Sequence, residues 1–249
     1  MMIFSRIIAL FFIAPIFSSD AVSYPFRIFL GFLISLLLFP SVSPYMLKVP
    51  PGMGEYALII LSEVFVGVLI GFILNILFAS FQMAGEYFSV QLGFGYTEIL
   101  DPVSQTSLPV ISTLKNMIAI MLFLITGAHR KVIESIAFSF EKASIYHLTA
   151  EMENGIFRTF EYSIGAMFLI AFKIALPILG VIILVTAAEA LMGKAAPQMN
   201  ILQLSFPAKI AIGLIVMILV TPFIEQQMVQ GFELSLDRID KMLRGWPRP

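Results

Sequence analysis

The amino-acid sequence predicts an all-α integral membrane protein, and three observations support this fold class. Hydrophobic residues make up 59% of the 249 positions and charged residues only 12%, whereas soluble domains average about half apolar and a quarter charged residues. The mean hydropathy is +0.96. Apolar runs of helical length recur along the chain, and a helix that crosses a bilayer needs about 20 apolar residues. Such segments are predicted at residues 3–17, 26–39, 56–81, 108–126, 163–186 and 209–224.

The first segment is interpreted as a retained helix rather than a cleaved leader. Arg6 and the run IIALFFIAPIF resemble the start of a signal peptide, but residues 17–20 offer no small-x-small cleavage site. The apolar pattern also resumes directly after Pro25. We therefore expect the first helix to remain part of the folded chain.

Prolines and segment length indicate that several of these helices are short or bent. The third and fifth segments are long enough to span a bilayer, whereas the second and sixth are short. An interior proline removes one backbone hydrogen bond that lipid cannot replace. We therefore expect helices that need protein neighbours and that bend or end at Pro15, Pro25, Pro40, Pro177, Pro207 and Pro222.

Three charged residues lie inside apolar stretches, namely Glu63, Lys115 and Lys173. An unpaired charge is costly at the centre of a membrane, so these side chains should face protein or water. They form either a proton or ion relay or a structural arrangement, such as a Glu63–Lys173 pair or lysines that snorkel to an interface. The structural interpretation is favoured. In the third segment, Gly67 and Gly71 form a G-x-x-x-G pair that lets another helix approach closely.

The basic residues between the segments predict a topology. If all six segments cross, one side holds only Lys194 in a loop, with Arg27 and Lys209 at helix edges. The positive-inside rule then places the opposite side, with both termini, in the cytoplasm. That side holds Arg6, Lys48, Arg130, Lys131, Lys142, Arg158, Arg238, Lys241, Arg244 and Arg248.

Two further regions are predicted to be amphipathic helices. In residues 127–162, apolar residues recur at helical spacing among charges, which indicates an interfacial helix with an apolar face of Val132, Ile133, Ile136, Ala137 and Phe140. The tail, residues 225–249, is expected to dock on a partner or a membrane surface. Its apolar stripe consists of Met228, Phe232, Leu236, Ile239 and Leu243.

The composition argues against several functional classes. The formal net charge is −1, so nucleic acid has no electrostatic reason to bind. There are no cysteines and only two histidines, His129 and His147, which make a dedicated metal site improbable. No phosphate-binding loop, dinucleotide fingerprint or hydrolase signature is present. We expect neither a cofactor nor an enzymatic activity.

The segment between the third and fourth apolar runs, QLGFGYTEILDPVSQTSLP at residues 91–109, is unlike its surroundings. Gly93 and Gly95 permit backbone bends, and Asp101-Pro102 indicates a turn. Irregular backbone at membrane depth persists only when it is buried in protein or lines an aqueous path. Phe94 and Tyr96 are unsuited to a solvated loop and suited to a constriction that blocks ions by dewetting. The segment is either a surface loop or an insertion into a pore.

Three blocks of the sequence resemble the FliR family of flagellar export-gate subunits and its virulence type III secretion relatives. They are AGEYFSVQLGFGYTEILDPVSQTSLPVISTL, MLFLITGAHRKVIESIAFSF and LMGKAAPQMNILQLSFPAKIAIGL. The A-G-E-x…Q-x-G and A-P-Q-M-N patterns are specific, whereas the hydrophobic runs are not. The resemblance extends over nearly the whole chain, which starts closer to its first apolar helix than is usual in that family.

The resemblance implies one membrane-embedded domain over residues 1–249, built of bent helical hairpins like a FliP-like and a FliQ-like subunit fused. Such chains form a closed helical pore with FliP-like, FliQ-like and FlhB-like partners, in contact with lipid. The pore lies in the bacterial inner membrane at the flagellar basal body and exports unfolded flagellar proteins. The family's loop that matches residues 92–108 acts as a plug, which assigns this role to Leu92, Gly93, Phe94, Gly95, Tyr96, Asp101 and Pro102.

Two alternatives remain at this point. The first is the equivalent subunit of a virulence type III secretion system. The second is a small-molecule or ion transporter with Glu63, Lys115 and Lys173 at a midplane site, although the two halves of the sequence show no internal repeat.

Overall fold

A computed structural model describes residues 1–18, 22–45, 52–93, 110–142, 150–198 and 200–246 of the chain. Within these ranges all regular secondary structure is helical, which confirms the predicted all-α fold class. A short 3-10 turn, Ser43–Tyr45, follows the third helix. The helices are α1 (Met2–Ile13), α2 (Pro15–Ser18), α3 (Tyr24–Val42), α4 (Met53–Leu92), α5 (Val110–Ile125), α6 (Ala128–Lys142), α7 (Ala150–Ala195) and α8 (Ile201–Arg244).

Within the described ranges, fewer helices qualify as membrane spans than the six apolar segments marked in the sequence. By length and composition, α3, α4, α7 and α8 can each cross a membrane, and α5 with α6 forms a fifth candidate, bent by 67°. The bend lies at Gly127, which has φ of 71°, a backbone conformation that favours glycine. The first apolar segment is too short because Ala14 is extended, as expected for a residue that precedes a proline.

The last two long helices extend well beyond the predicted apolar segments. Helix α7 has 46 residues and α8 has 44, which corresponds to about 65–70 Å of helix at 1.5 Å per residue. Both continue through prolines where we expected a bend or an end, namely Pro177, Pro207 and Pro222. Residues 150–162 therefore begin α7, and residues 225–244 complete α8 rather than forming a separate tail helix.

The chain divides into two compact units, and each is built from separated pieces of sequence. The first unit contains Met1–Phe78, Phe123–Ala166 and Phe232–Pro249. The second unit contains Ala79–Leu122 and Met167–Gly231. Helices α4, α5, α7 and α8 each contribute residues to both units.

An aromatic cluster lies in the core of the first unit. Phe78, Phe123 and Phe232 pack with ring centroids 5.3–6.1 Å apart. The apolar stripe of the tail continues from Phe232 along α8, and Leu236, Ile239 and Leu243 are also buried. This stripe is therefore covered by its own chain, not left free for a partner or a membrane surface as we expected.

The apolar face of α6 is also buried within the protein. Val132, Ile136 and Phe140 are each less than 5% exposed, so this helix does not lay them on a lipid surface. The interfacial position that we predicted from amphipathicity is incorrect for this face, because the pattern indicates a buried side and does not identify what buries it.

Candidate functional site

The candidate site is the base of the predicted plug segment, where α4 ends and α5 begins. Leu92 and Gly93 are described by the structure, whereas Phe94, Gly95, Tyr96, Asp101 and Pro102 lie outside the described residues. We call the described residues on both sides of the segment the loop base, defined as Gly85, Phe88, Ser89, Leu92, Gly93, Ser112, Lys115 and Gly213. All of these residues belong to the second unit.

The C-terminal end of α4 is held against α8. Leu92 is fully buried, and a Cβ atom at Gly213 would overlap the Leu92 Cδ2 atom. Only glycine leaves this space on α8, so the last residue of α4 fits directly against the α8 backbone. The chain therefore enters the plug segment from a fixed position.

Gly93 ends α4 and turns the chain. Its φ is 88°, which lies in the left-handed region where residues other than glycine are disfavoured. Its N–H donates a hydrogen bond to the Val90 carbonyl oxygen at 3.2 Å. This geometry is the glycine-terminated helix end that is common in proteins.

We expect Gly93→Ala to lower the free energy of unfolding by about 1–2 kcal/mol because alanine must adopt the left-handed conformation. Thermal unfolding of the purified chain in detergent measures this change. Gly54→Ala is the matched control, since Gly54 lies in α4 with open space around it. An equal melting temperature for the two variants would contradict the assigned backbone conformation.

The start of α5 crosses α4 with the two backbones in contact. A Cβ atom at Gly85 would lie 2.7 Å from the Ser112 Cα atom and 3.0 Å from its Oγ atom. Such a close crossing of helices needs a glycine at the contact. The chain therefore leaves the plug segment at a second fixed position.

Lys115 lies one turn beyond this crossing and is buried. The residue is only 2% exposed, and its Nζ atom is 5.7 Å from the centroid of the Phe88 ring. Lys115 thus faces protein, as we expected for a charge in an apolar segment. The hydroxyl oxygens of Ser89 and Ser112 are buried and have no hydrogen-bond partner in the part of the chain that the structure describes.

The other intramembrane charges are arranged differently from the Glu63–Lys173 pair that we considered. Glu63 is 6% exposed and forms an ion pair with Arg6, with Arg6 Nη2 2.6 Å from Glu63 Oε2. Lys173 is exposed on α7. Arg6 is 1% exposed, so it does not contribute to the charge of the cytoplasmic surface in the way that the topology prediction assumed.

The Arg6 guanidinium connects three helices of the first unit. Its Nε atom donates to Glu63 Oε2 on α4 at 2.7 Å, and its Nη1 atom donates to Ser139 Oγ on α6 at 2.6 Å. The guanidinium carbon also lies 3.7 Å from the centroid of the Phe140 ring. These contacts attach α1 to α4 and α6 through one buried cation.

Gly67 and Gly71 form the surface of α4 on which α1 lies. A Cβ atom at Gly67 would overlap the Arg6 carbonyl oxygen. At Gly71 it would come within 3.1 Å of Ile13 Cβ and 3.3 Å of the Leu10 carbonyl oxygen. The G-x-x-x-G pair therefore accommodates a helix of the same chain.

The sequence analysis also missed an ion pair between α7 and α8. Lys209 Nζ on α8 lies 2.9 Å from Glu189 Oε2 on α7, and both side chains are mostly buried. The two residues are equally far in sequence from Met199, between the ends of the two helices. This pair could have been predicted from the sequence, because the two opposite charges are spaced equally on either side of the connection between two helices. In the part of the chain that the structure describes, no cluster of three or more His, Asp or Glu residues is suited to hold a metal ion.

The chain is similar to known proteins over nearly its full length. A model of the family described as "Bacterial export proteins, family 1" matches residues 1–235. Flagellar biosynthetic protein FliR of Bacillus subtilis is 27% identical over 247 residues, which cover 98% of this chain and 93% of that protein. The proteins of the same name from Pectobacterium carotovorum and Escherichia coli are 28% and 26% identical, and the matches cover 96% and 95% of this chain and 92% and 91% of theirs.

Proposed function

Because the chain belongs to family 1 of the bacterial export proteins, the FliR family, we propose that it is a structural subunit of a flagellar protein export apparatus. It lines a closed pore with FliP-like and FliQ-like subunits in the bacterial inner membrane, next to an FlhB-like subunit. It catalyses no reaction. The match of the family over residues 1–235 is the observation that carries the export role.

The exposed surface of α7 supports assembly with other subunits. Large apolar side chains are exposed from Phe157, at 70%, to Leu191, at 68%. This stretch corresponds to about 50 Å of helix, whereas the hydrocarbon core of a bilayer is about 30 Å thick. Lipid cannot cover all of this length, so we expect part of the exposed apolar surface of α7 to contact other protein chains.

The geometry of the loop base supports a plug. Leu92 and Ser112, which lie on either side of residues 94–109, are each held by a contact at a glycine. We assign the seal to Phe94 and Tyr96 and the flexible points to Gly93 and Gly95. We also assign to Asp101 and Pro102 the turn that the sequence predicts before α5.

In this mechanism the resting plug and an apolar ring prevent ion flow, and an exported polypeptide displaces the plug. The pore need be only about as wide as a helix, roughly 10 Å, because the proteins pass unfolded. Since no nucleotide-binding motif is present in the sequence, energy for transport comes from partner proteins or the proton gradient.

Replacement of residues 94–108 by a glycine-serine linker of equal length tests the plug. The complex is expected to assemble at its normal level, and the membrane is expected to become permeable to ions, measured as conductance in planar bilayers. The same type of replacement at residues 143–149, between α6 and α7, is the control and should leave conductance unchanged. An unaltered conductance in the first variant would refute the plug.

Two measurements separate this proposal from the alternatives. A gate subunit purifies together with different chains, whereas a transporter purifies alone or as a homo-oligomer. Loss of flagella in a deletion strain supports the flagellar role, and intact flagella with lost effector secretion would indicate a virulence system. The transporter alternative requires Glu63 to line a midplane binding site. Glu63 is instead paired with Arg6, which argues against that alternative.

A further inference from the structure

Three buried polar side chains of the second unit share one small region of the loop base. We call Ser89, Ser112 and Lys115 the Lys115 cluster; each is only 1–2% exposed. Ser112 contacts α4 at Gly85, and Lys115 contacts α4 at Phe88. Residues three or four apart lie on the same helix face, so Ser89 lies on the Gly85 face of α4 and Lys115 on the Ser112 face of α5.

Within the described ranges, none of the three has a hydrogen-bond or ion-pair partner suited to its burial. The Ser89 and Ser112 hydroxyls make no hydrogen bond to any described residue. Among the described residues no carboxylate lies within 4.0 Å of the Lys115 ammonium, although the charge of Glu225 acts on it. A Phe88 ring centroid 5.7 Å away is a weak substitute for an anion. Buried ammonium groups are normally paired or hydrogen-bonded.

Each of the unused groups can donate a hydrogen bond. An ammonium group donates up to three hydrogen bonds and each serine hydroxyl donates one. Ser112 also lies in the first turn of α5, where free N–H groups and the helix dipole favour negative charge. This combination fits an anion that accepts hydrogen bonds.

The burial of these side chains favours a protein carboxylate over a lipid headgroup. Side chains that are 98–99% buried are inaccessible to a lipid headgroup, which carries a glycerol and two acyl chains. A carboxylate on a protein side chain can be inserted from within the assembly.

We propose that Ser89, Ser112 and Lys115 form a binding site for a protein carboxylate, which joins the loop base to an acidic side chain. Three sources share this chemistry: Glu225 of α8, an acidic residue of segment 94–109, and an acidic side chain of a neighbouring subunit. The proposal uses the export role only as a readout and does not depend on the plug.

Lys115→Met tests the site because it keeps the side-chain length and removes the charge. Removal of a buried charge that has no partner should leave the chain as stable or make it more stable. If a carboxylate binds, this variant is expected at its normal level in the membrane but with export of flagellar proteins reduced about tenfold, the loss that corresponds to one charge-assisted hydrogen bond. Lys173→Met, at an exposed lysine of the same unit, is the control and should export normally. Normal export by Lys115→Met overturns the proposal.

Charge reversal identifies the source and remains informative if Lys115→Met is degraded. Lys115→Glu is expected to abolish export, and it is combined in turn with Glu225→Lys, Glu98→Lys and Asp101→Lys. Recovery of export in one combination identifies that carboxylate, and suppressors that map to another export gene identify a neighbouring subunit. Failure of every combination and of the suppressor selection overturns the site.

Discussion

Arg6→Met is expected to destabilise the first unit by about 3–5 kcal/mol, because it leaves the buried Glu63 carboxylate without its cation. The Arg6 side chain supplies two contacts to Glu63, one to Ser139 and a ring contact to Phe140. Solvent cannot replace these contacts because both charged residues are less than 10% exposed. The effect should appear as a lower unfolding temperature of the purified chain.

Trp246 is a suitable probe for this experiment. It is the single tryptophan of the chain and is 3% exposed in the first unit, so its fluorescence reports the unfolding of the unit that contains Arg6. The double variant Arg6→Met, Glu63→Leu should recover most of the lost stability, since a matched apolar pair often equals a buried ion pair. Lys241→Met removes an exposed pair with Asp237 and should change stability by less than about 1 kcal/mol. A double variant no more stable than Arg6→Met would contradict the pairing.

Gly67→Val is expected to have the second large effect, a destabilisation of about 3 kcal/mol from overpacking. Even a Cβ atom at this position overlaps the Arg6 carbonyl oxygen, and a backbone atom in a helix cannot rotate away as a side chain can. Helix α1 must therefore separate from α4, which also weakens the Arg6–Glu63 pair. Reduced protection of α1 from proteolysis or hydrogen exchange would reveal this separation.

Gly165→Val is the matched control for Gly67→Val. Gly165 lies within a long apolar helix of the same unit but has no atom within 4 Å of an added Cβ. The two substitutions share the same intrinsic helix propensity, so their difference isolates the contact with α1. Equal stability of the two variants would mean that α1 does not lie on the Gly67 face.

The sequence predicts the helical fold class because composition and apolar run length determine it directly. It also draws attention to Gly67, Gly71 and Lys115, since glycine spacing and a charge in an apolar run are local signals. The extra length of α7 and α8 was missed because we expected prolines inside the apolar segments to bend or end the helices. Both helices instead continue through these prolines and into polar sequence.

Partners distant in sequence could not be predicted. Arg6 and Glu63 are 57 positions apart, and Arg6 and Ser139 are 133 apart, so no periodicity relates them. The position of Arg6 near the N-terminus suggested a topological role instead. The tail stripe was expected on another surface for the same reason, because its aromatic neighbours Phe78 and Phe123 come from two other helices.

The interleaving of the two units has a consequence for biosynthesis. The first unit needs residues near position 6 and residues 232–246, which leave the ribosome at opposite ends of translation. Arg6 therefore lacks its contacts with Ser139 and Phe140 until residue 140 has been synthesised. The first unit cannot complete its core until residues 232–246 follow.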